Sequence, residues 1–240
     1  SHDGFTLNDL VSFNIKHNLS NGENNRDGEN NNNSWNHGLE GPSTNNEIEL
    51  IRTKQRKNLF SSLLLSHGIP MILMGDEVAR SQGGNNNSWC QNSPLGWMIW
   101  DEEECNKELK EFVKKLIKLR KTFPNLFSPE KNVHTLSSSK ADNQESWAEW
   151  HGIKLNSPDW GSWSHTISYS INKANQGALM WVGLNAYNES MKFELPQAIS
   201  PWVKFLDTSK KHSQEFTQEC LANQSEIELE SRSLTLIITK

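Results

Sequence analysis

Residues 69–77 read Ile-Pro-Met-Ile-Leu-Met-Gly-Asp-Glu, and this stretch decides the fold class. Its apolar part, from Ile69 to Met74, is uninterrupted and lies between two glycines. A strand that is covered on both faces of a parallel sheet has this continuous pattern, whereas a half-exposed strand alternates. The polar pair Asp76 and Glu77 follows at once, and α/β barrels place their chemistry beyond the carboxyl ends of such strands. The stretch therefore predicts a barrel strand with a functional edge after it.

Two amphipathic helices are predicted on either side of this strand. The first begins at Asn46, a capping residue with Glu49 in its first turn, and ends at Gly68. Its expected buried face consists of Ile48, Ile51, Leu59, Phe60, Leu63 and Leu64. The second runs from about Asn106 to Thr122 and is stopped by Pro124. Helices that alternate with a buried strand are typical of α/β proteins.

Beyond about Ser128 the pattern changes to short alternating segments separated by Gly, Pro, Asn and Ser clusters. This spacing is typical of a small antiparallel β-sandwich. The predicted strands are 146–151, 166–171, 178–186, 192–195, 202–206 and 233–239. We therefore predict two domains, residues 1–127 of α/β type and residues 128–240 of all-β type.

Composition excludes several classes of function. The net charge is −5 and no long basic run is present, so neither a nucleic-acid partner nor a basic membrane-binding helix is expected. The longest apolar runs are too short to cross a bilayer. The cysteines Cys90, Cys105 and Cys220 lack the spacing of a disulfide framework or a zinc site and are interpreted as free thiols. Ten tryptophans suit either sugar rings or β-rich cores.

Two polar loops are the candidate binding segments. Residues 14–46 are rich in Asn, Gly, Glu, Asp and Ser, and contain Arg26, Asp27 and Trp35. Residues 82–94 contain Asn85, Asn86, Asn87 and Trp89. Composition alone fits a linker for the first loop, but a long loop in a compact domain is usually functional.

Four ordered motifs carry a resemblance to a known family. The chain opens His-Asp-Gly-Phe-Thr-Leu at residues 2–7, which resembles the end of the seventh strand in the α-amylase superfamily. Residues 20–36 and 74–91 resemble two loops of the isoamylase and debranching branch, and the tail residues 150–160 are similar to the plant and cyanobacterial isoamylase type. The resemblance implies the last two β/α units of a (β/α)8 TIM barrel, followed by the family's C-terminal β-sandwich.

The resemblance also implies a reaction, the hydrolysis of α-1,6 branch linkages in glycogen or starch with retention. Asp3 matches the carboxylate that stabilises the transition state, and His2 matches a neighbouring donor to the same sugar. The resemblance places the nucleophile on the fourth strand and the general acid on the fifth, so both are expected upstream of residue 1, and the family's Arg-x-Asp nucleophile motif does not occur in this chain. The fragment alone is therefore expected to be inactive.

Other site residues follow from their position in the two loops. Arg26, Asp27, Trp35, Asn85, Asn86 and Trp89 are candidate substrate contacts. For Arg26 and Asp27 a structural role has equal weight with sugar contact, because the two side chains can pair with each other and brace the loop. Asp76 and Glu77 are interpreted as structural, because in the family pattern they belong to the eighth strand. No metal or cofactor is predicted.

The expected partner is a branched α-glucan: glycogen, amylopectin or maltooligosaccharides. The alternative is a non-catalytic glucan-binding or regulatory subunit, because some isoamylase relatives lack catalytic carboxylates; a third reading makes residues 128–240 only a structural cover for the barrel. The resemblance leaves a homo-oligomer open. The expected compartment is the cytoplasm, or the plastid stroma in a photosynthetic eukaryote.

Overall fold

The computed structural model describes residues 3–100, 106–127, 134–135, 146–212, 214–221 and 224–239. The chain forms two compact units, which are described separately. Unit 1 consists of Ser1–Phe60 and Pro70–Leu116, and unit 2 consists of Ser61–Ile69 and Ile117–Lys240. The predicted residue His2 lies outside the described residues.

The described residues form two long helices, both predicted from the sequence, and two short ones that were not predicted. They are α1 Leu7–Leu10, α2 Asn46–Leu65, α3 Lys107–Thr122 and α4 Pro124–Phe127. The cap of α2 is Asn45 and not Asn46, because the Asn45 Oδ1 accepts the backbone N–H of Glu47 at 2.9 Å. Both long helices are confirmed. Pro124 ends α3 as predicted and also starts the short helix α4.

The buried face of α2 differs from the predicted one. Arg52, Arg56, Phe60 and Leu64 are buried along one stripe at a spacing of four residues, whereas the predicted core residues Leu59 and Leu63 are about two-fifths exposed. Sequence patterning missed the first half of the stripe because it is built from arginines. Their Nη atoms donate to carbonyl and side-chain oxygens of unit 1, which offsets part of the cost of burying charge, whereas the Nε atoms of both arginines are buried without a hydrogen-bond partner among the described residues.

The predicted strand Ile69–Met74 is not formed. These residues have no regular secondary structure, and Ile69, Met71 and Met74 are 92, 73 and 64% exposed. A parallel strand exists only when hydrogen-bonded neighbours satisfy its backbone, and no described residue pairs with this segment. The described residues of unit 1 therefore do not form a barrel. The apolar run is an unusually exposed surface for a folded protein.

Unit 2 contains the predicted β-sandwich. Its strands are β1 His134–Thr135, β2 Ser146–His151, β3 Thr166–Lys173, β4 Gly177–Asn185, β5 Met191–Glu194, β6 Trp202–Asp207, β7 Glu219–Leu221, β8 Glu226–Leu229 and β9 Ser233–Thr239. Six of these confirm the predicted strands. In the described part of the chain, one sheet has the order β1-β2-β3-β4-β9-β6-β7, and the other pairs β5 with β8. All pairs are antiparallel except β1 with β2.

The core of unit 2 lies between the two sheets. Trp181 of β4 and Phe193 of β5 are both fully buried, and their rings meet edge to face at 5.8 Å. Ile237 from the large sheet and Ile227 and Leu229 from the small one belong to the same cluster. Burial of such aromatic and branched side chains supplies most of the stability of a sandwich.

Candidate active-site loops

The segment after Asp3 is fixed to the loop of residues 82–91. The backbone N–H of Gly4 donates to the Asn86 carbonyl at 2.9 Å, and the N–H of Leu7 donates to the Asp76 Oδ1 at 3.0 Å. Asp3 itself is exposed. The two segments thus meet through these hydrogen bonds, and the exposed residue Asp3 directly precedes the contact between Gly4 and Asn86.

A buried carboxylate makes this junction rigid. Asp9 in α1 is fully buried and accepts hydrogen bonds from the Ser81 hydroxyl at 2.5 Å and from the N–H groups of Gln82 at 2.8 Å and Gly84 at 3.2 Å. Burial raises the pKa of Asp9, and these donors partly oppose that effect. Asp9 therefore fixes the position of residues 81–84, which precede Asn85 and Asn86, relative to α1.

The asparagines of the two polar loops bond mainly to one another. Asn18 exchanges two hydrogen bonds with Asn86, at 2.9 and 3.0 Å, and the Asn85 Nδ2 donates to the Asn21 Oδ1 at 2.9 Å. Asn85 and Asn86 are 0 and 1% exposed. In this arrangement their side chains are occupied inside the protein and present no surface to a sugar.

The first polar loop is also rich in asparagine because of its backbone conformation. Asn24, Asn25 and Asn33 have φ values of 53, 59 and 48°, a left-handed conformation that asparagine tolerates better than most residues. Gly28 has a φ of 71°, and a Cβ there would lie 2.2 Å from the Asn86 Oδ1. The composition that resembled a linker is therefore the turn chemistry of an ordered loop.

Arg26 and Asp27 bond to other groups, not to each other. The Asp27 Oδ2 accepts from the Nδ2 groups of Asn21 at 2.7 Å and Asn87 at 3.0 Å. The Asn21 hydrogen bond is the largest cause of a lowered Asp27 pKa. Arg26 is exposed and its Nε donates only weakly, at 3.3 Å, to the Glu23 carbonyl. Asp27 thus braces the loop through asparagines, whereas the Arg26 guanidinium faces solvent.

Two of the predicted aromatic contacts are well exposed. Trp35 is 50% exposed and packs against His37, with ring centroids 4.2 Å apart, and its backbone N–H donates to the Leu10 carbonyl at 3.1 Å. Trp89 is 74% exposed in the turn Ser88–Cys90. Both indoles are accessible to a ligand.

Several residues that shape the site were not singled out from the sequence. Lys16 is 6% exposed and its Nζ donates to the Asp27 carbonyl at 2.7 Å. Asn18, Asn21 and Asp9 are the other organising groups. The only signal available in advance was the density of asparagines, because a periodicity search does not register side chains that bond to loop backbone.

Asp76 supplies a pH-dependent test of the junction. Burial raises its pKa to about 6, despite the opposing N–H of Leu7 and the charge of Arg80, and the carboxylates of Glu77 and Asp9 raise it further. Because the folded state then holds the proton more tightly than the unfolded chain, this contribution to stability is complete below about pH 4 and is lost as the pH rises through about 6. We expect Asp76→Asn to stabilise unit 1 by on the order of 1–3 kcal/mol at pH 7.5 and by much less at pH 4.5.

Thermal unfolding at the two pH values measures this difference. Glu47→Gln changes the net charge equally at an exposed position, so subtracting its effect removes the general electrostatic contribution. A stability gain for Asp76→Asn that is equal at both pH values would contradict the prediction.

Two further properties of the described residues concern metal sites and membrane-spanning helices. These residues contain no group of three or more His, Cys, Asp or Glu side chains able to hold a metal ion. None of the described helices combines the length and apolar character that a membrane span needs.

Comparison with known proteins shows which class the chain resembles. Residues 149–235 match the family model described as Isoamylase 1-3, C-terminal. The chain is similar to isoamylases and to glycogen debranching proteins of plants and bacteria.

Particular relatives come from plants and bacteria. The chain is 35% identical to the chloroplastic Isoamylase 1 of Oryza sativa subsp. japonica over 94% of this chain and 27% of that protein. It is 44% identical to the glycogen operon protein GlgX homolog of Mycobacterium tuberculosis H37Rv over 67% of this chain and 22% of that protein. The chain thus spans about a quarter of the length of these relatives. The pullulanase of Bacillus acidopullulyticus shares the fold across 99% of this chain and 23% of its own, with a TM-score of 0.59 and 14% identity.

Proposed function

We propose that this chain is the C-terminal part of an enzyme that hydrolyses α-1,6 branch linkages in glycogen or starch. The observation that carries the proposal is the 35% identity to rice Isoamylase 1 across 94% of the chain. The position of Asp3 beside the Asn86 turn supports it, because Gly4 and Asn86 join the two loop segments that the reaction needs together.

In the proposed reaction Asp3 is the third carboxylate of a retaining glycosidase. Such enzymes use a carboxylate nucleophile and a carboxylic acid about 5 Å apart. Asp3 accepts hydrogen bonds from hydroxyls of the distorted sugar and so favours the positively charged transition state. His2 donates to the same sugar. The nucleophile and the general acid come from residues outside this chain, so the chain alone has no hydrolase activity.

The other predicted substrate contacts fall into two groups, exposed side chains and side chains that are bonded or buried within the protein. Arg26, Trp35 and Trp89 are exposed and are proposed to contact the branched glucan, the indoles by stacking on sugar rings. Asp27 is proposed to hold the loop, since its Oδ2 is bonded to two asparagines. Asn85 and Asn86 are likewise proposed to hold the loop, because both side chains are buried.

The exposed apolar run supports a barrel origin for the first part of the chain. Ile69–Met74 is continuous, apolar and unpaired in the described structure, as expected for a strand whose neighbours belong to other segments. We assign residues 1–127 to the last two units of a (β/α)8 barrel and residues 128–240 to the sandwich domain. The proposed compartment is the cytoplasm, or the plastid stroma in a photosynthetic source.

A hybrid protein tests the proposed function. In this rice hybrid, the region of rice Isoamylase 1 that matches the chain is replaced by residues 1–240. We expect the rice hybrid to release linear glucan from amylopectin, because the exchanged region supplies Asp3 and both loops in the places that the rice enzyme needs. Released chains are measured as new reducing ends after the reaction.

Two controls make the result interpretable. The 240-residue chain alone and the rice enzyme truncated before the exchanged region should both be inactive. A rice hybrid that unfolds cooperatively and binds maltoheptaose but releases no linear glucan would contradict the debranching assignment and favour a non-catalytic glucan-binding protein.

A further inference from the structure

A short segment of unit 2 presents two tryptophans to solvent. Trp160 and Trp163 lie between β2 and β3 and are 66 and 75% exposed. Neither belongs to the loops near Asp3, which are part of unit 1. Two exposed indoles only three positions apart in the sequence present accessible aromatic surface, which can mark a binding site. We call this pair the tryptophan platform.

Trp160 is supported from within the sheet. Its ring meets the ring of Trp150 in β2 edge to face, with centroids 5.6 Å apart. Trp150 in turn contacts Tyr169 in β3 at 5.4 Å, and the Tyr169 hydroxyl donates to the Leu65 carbonyl at 3.0 Å. This chain of rings fixes the orientation of Trp160 although most of its surface is in solvent.

Trp163 is held by a carboxylate and a glycine. The Asp159 Oδ2 accepts the indole N–H of Trp163 at 3.1 Å, and the Asp159 Oδ1 accepts the N–H of Gly161 at 2.9 Å. A Cβ at Gly161 would lie 2.3 Å from the Trp163 ring, so the ring lies directly against the glycine backbone. Trp163 is therefore ordered before any ligand arrives, which lowers the entropic cost of binding.

The chemistry of the platform suits a neutral sugar chain. Indole faces stack on the C–H surfaces of glucose rings, while the Asp159 carboxylate, which retains lone pairs beyond its two bonds, accepts sugar hydroxyls. Ser162 and His165, which lie close to the platform in sequence, are exposed polar residues. A stable protein partner buries about 800 Å² on each side, whereas two indoles supply at most about 500 Å².

From these observations we propose that the tryptophan platform binds an α-glucan chain, at a site separate from the one that contains Asp3. This inference rests on the proposed function for the class of ligand. The site would keep the sandwich domain attached to a polymer while branch points are processed elsewhere. Linking two modest contacts to one polymer raises the effective concentration of substrate.

Calorimetric titration of the 240-residue chain with maltoheptaose tests the platform. We expect binding, and we expect Trp160→Ala and Trp163→Ala each to raise the dissociation constant at least tenfold. The matched control is Trp100→Ala, which removes a 70% exposed indole from unit 1 and should bind like the parent chain. Trp160→Tyr should restore part of the affinity because it retains a flat ring. Near-UV circular dichroism verifies folding of each variant.

The outcomes separate this site from the proposed function. Absence of maltoheptaose binding, or equal affinity of the parent chain and the Trp160→Ala and Trp163→Ala variants, overturns the platform. If the platform binds but the rice hybrid is inactive, the debranching proposal fails and the platform stands. An active rice hybrid whose retardation in amylopectin gels is unchanged by both substitutions leaves the debranching proposal intact and overturns the platform.

Discussion

Asp3→Asn in the rice hybrid should lower turnover of amylopectin on the order of 10³-fold. Asparagine has nearly the same shape, so the Gly4 to Asn86 bond and the loop should persist. The substitution removes a negative charge that would oppose the positive charge developing on the sugar, and groups of this kind commonly contribute two to three orders of magnitude. The initial rate of release of reducing ends measures the effect.

The control for Asp3 is Glu47→Gln in the same hybrid. Glu47 is an exposed carboxylate in the first turn of α2, and its loss should leave turnover within twofold. Affinity for maltoheptaose should fall much less than turnover in Asp3→Asn, because the carboxylate acts mainly in the transition state. Near-normal turnover of Asp3→Asn in a folded hybrid would remove Asp3 from the catalytic set.

Arg52→Ala should destabilise unit 1 by about 2–4 kcal/mol, because a buried guanidinium holds the loop before α2. Arg52 is 1% exposed. Its Nη1 donates to the Gly41 carbonyl at 2.8 Å, and its Nη2 donates to the carbonyls of Asn36 at 2.8 Å and Leu39 at 2.5 Å. Alanine leaves these three oxygens without their donor. Urea unfolding measures the free energy.

Limited proteolysis distinguishes local from global loss of structure. We expect faster cleavage within residues 36–41 of Arg52→Ala, since those carbonyls lose their anchor. Arg52→Lys should recover only part of the stability, because a single ammonium cannot match the planar fork of donors. The control Arg26→Ala removes an exposed arginine with one weak bond to Glu23 and should change stability by less than about 0.5 kcal/mol. Equal effects of Arg52→Ala and Arg26→Ala would contradict the anchoring role.

The sandwich was predictable because its signals are local. Strands β2 and β9 have the predicted bounds, 146–151 and 233–239, and the others differ by only a few residues. Alternation places one side of each strand toward the core, and turn residues mark the ends. Strands β1, β7 and β8 were not predicted; β1 and β7 have only two and three residues, too few for a period to be recognised.

The candidate site was only partly predictable. The motif that contains Asp3 and the loop that contains Asn86 were both identified from their residues, but their contact runs through backbone groups of Gly4 and Asn86. No side-chain pattern encodes such a bond. The burial of Asn85 and Asn86 was also not predicted, since a polar residue in a loop is usually exposed, whereas these two are buried.

The sequence by itself determined the two long helices, six strands of the sandwich and the family relationship, because periodicity, turn residues and motif order are properties of short segments. Only the tertiary structure decided that arginines form the buried stripe of α2, that asparagines bond to one another across the two loops, and that Ile69–Met74 remains unpaired. These features depend on which backbone groups and strands lie nearby in space. A strand needs neighbours to satisfy its hydrogen bonds, and a buried polar group needs partners, so neither can be inferred from the residue alone.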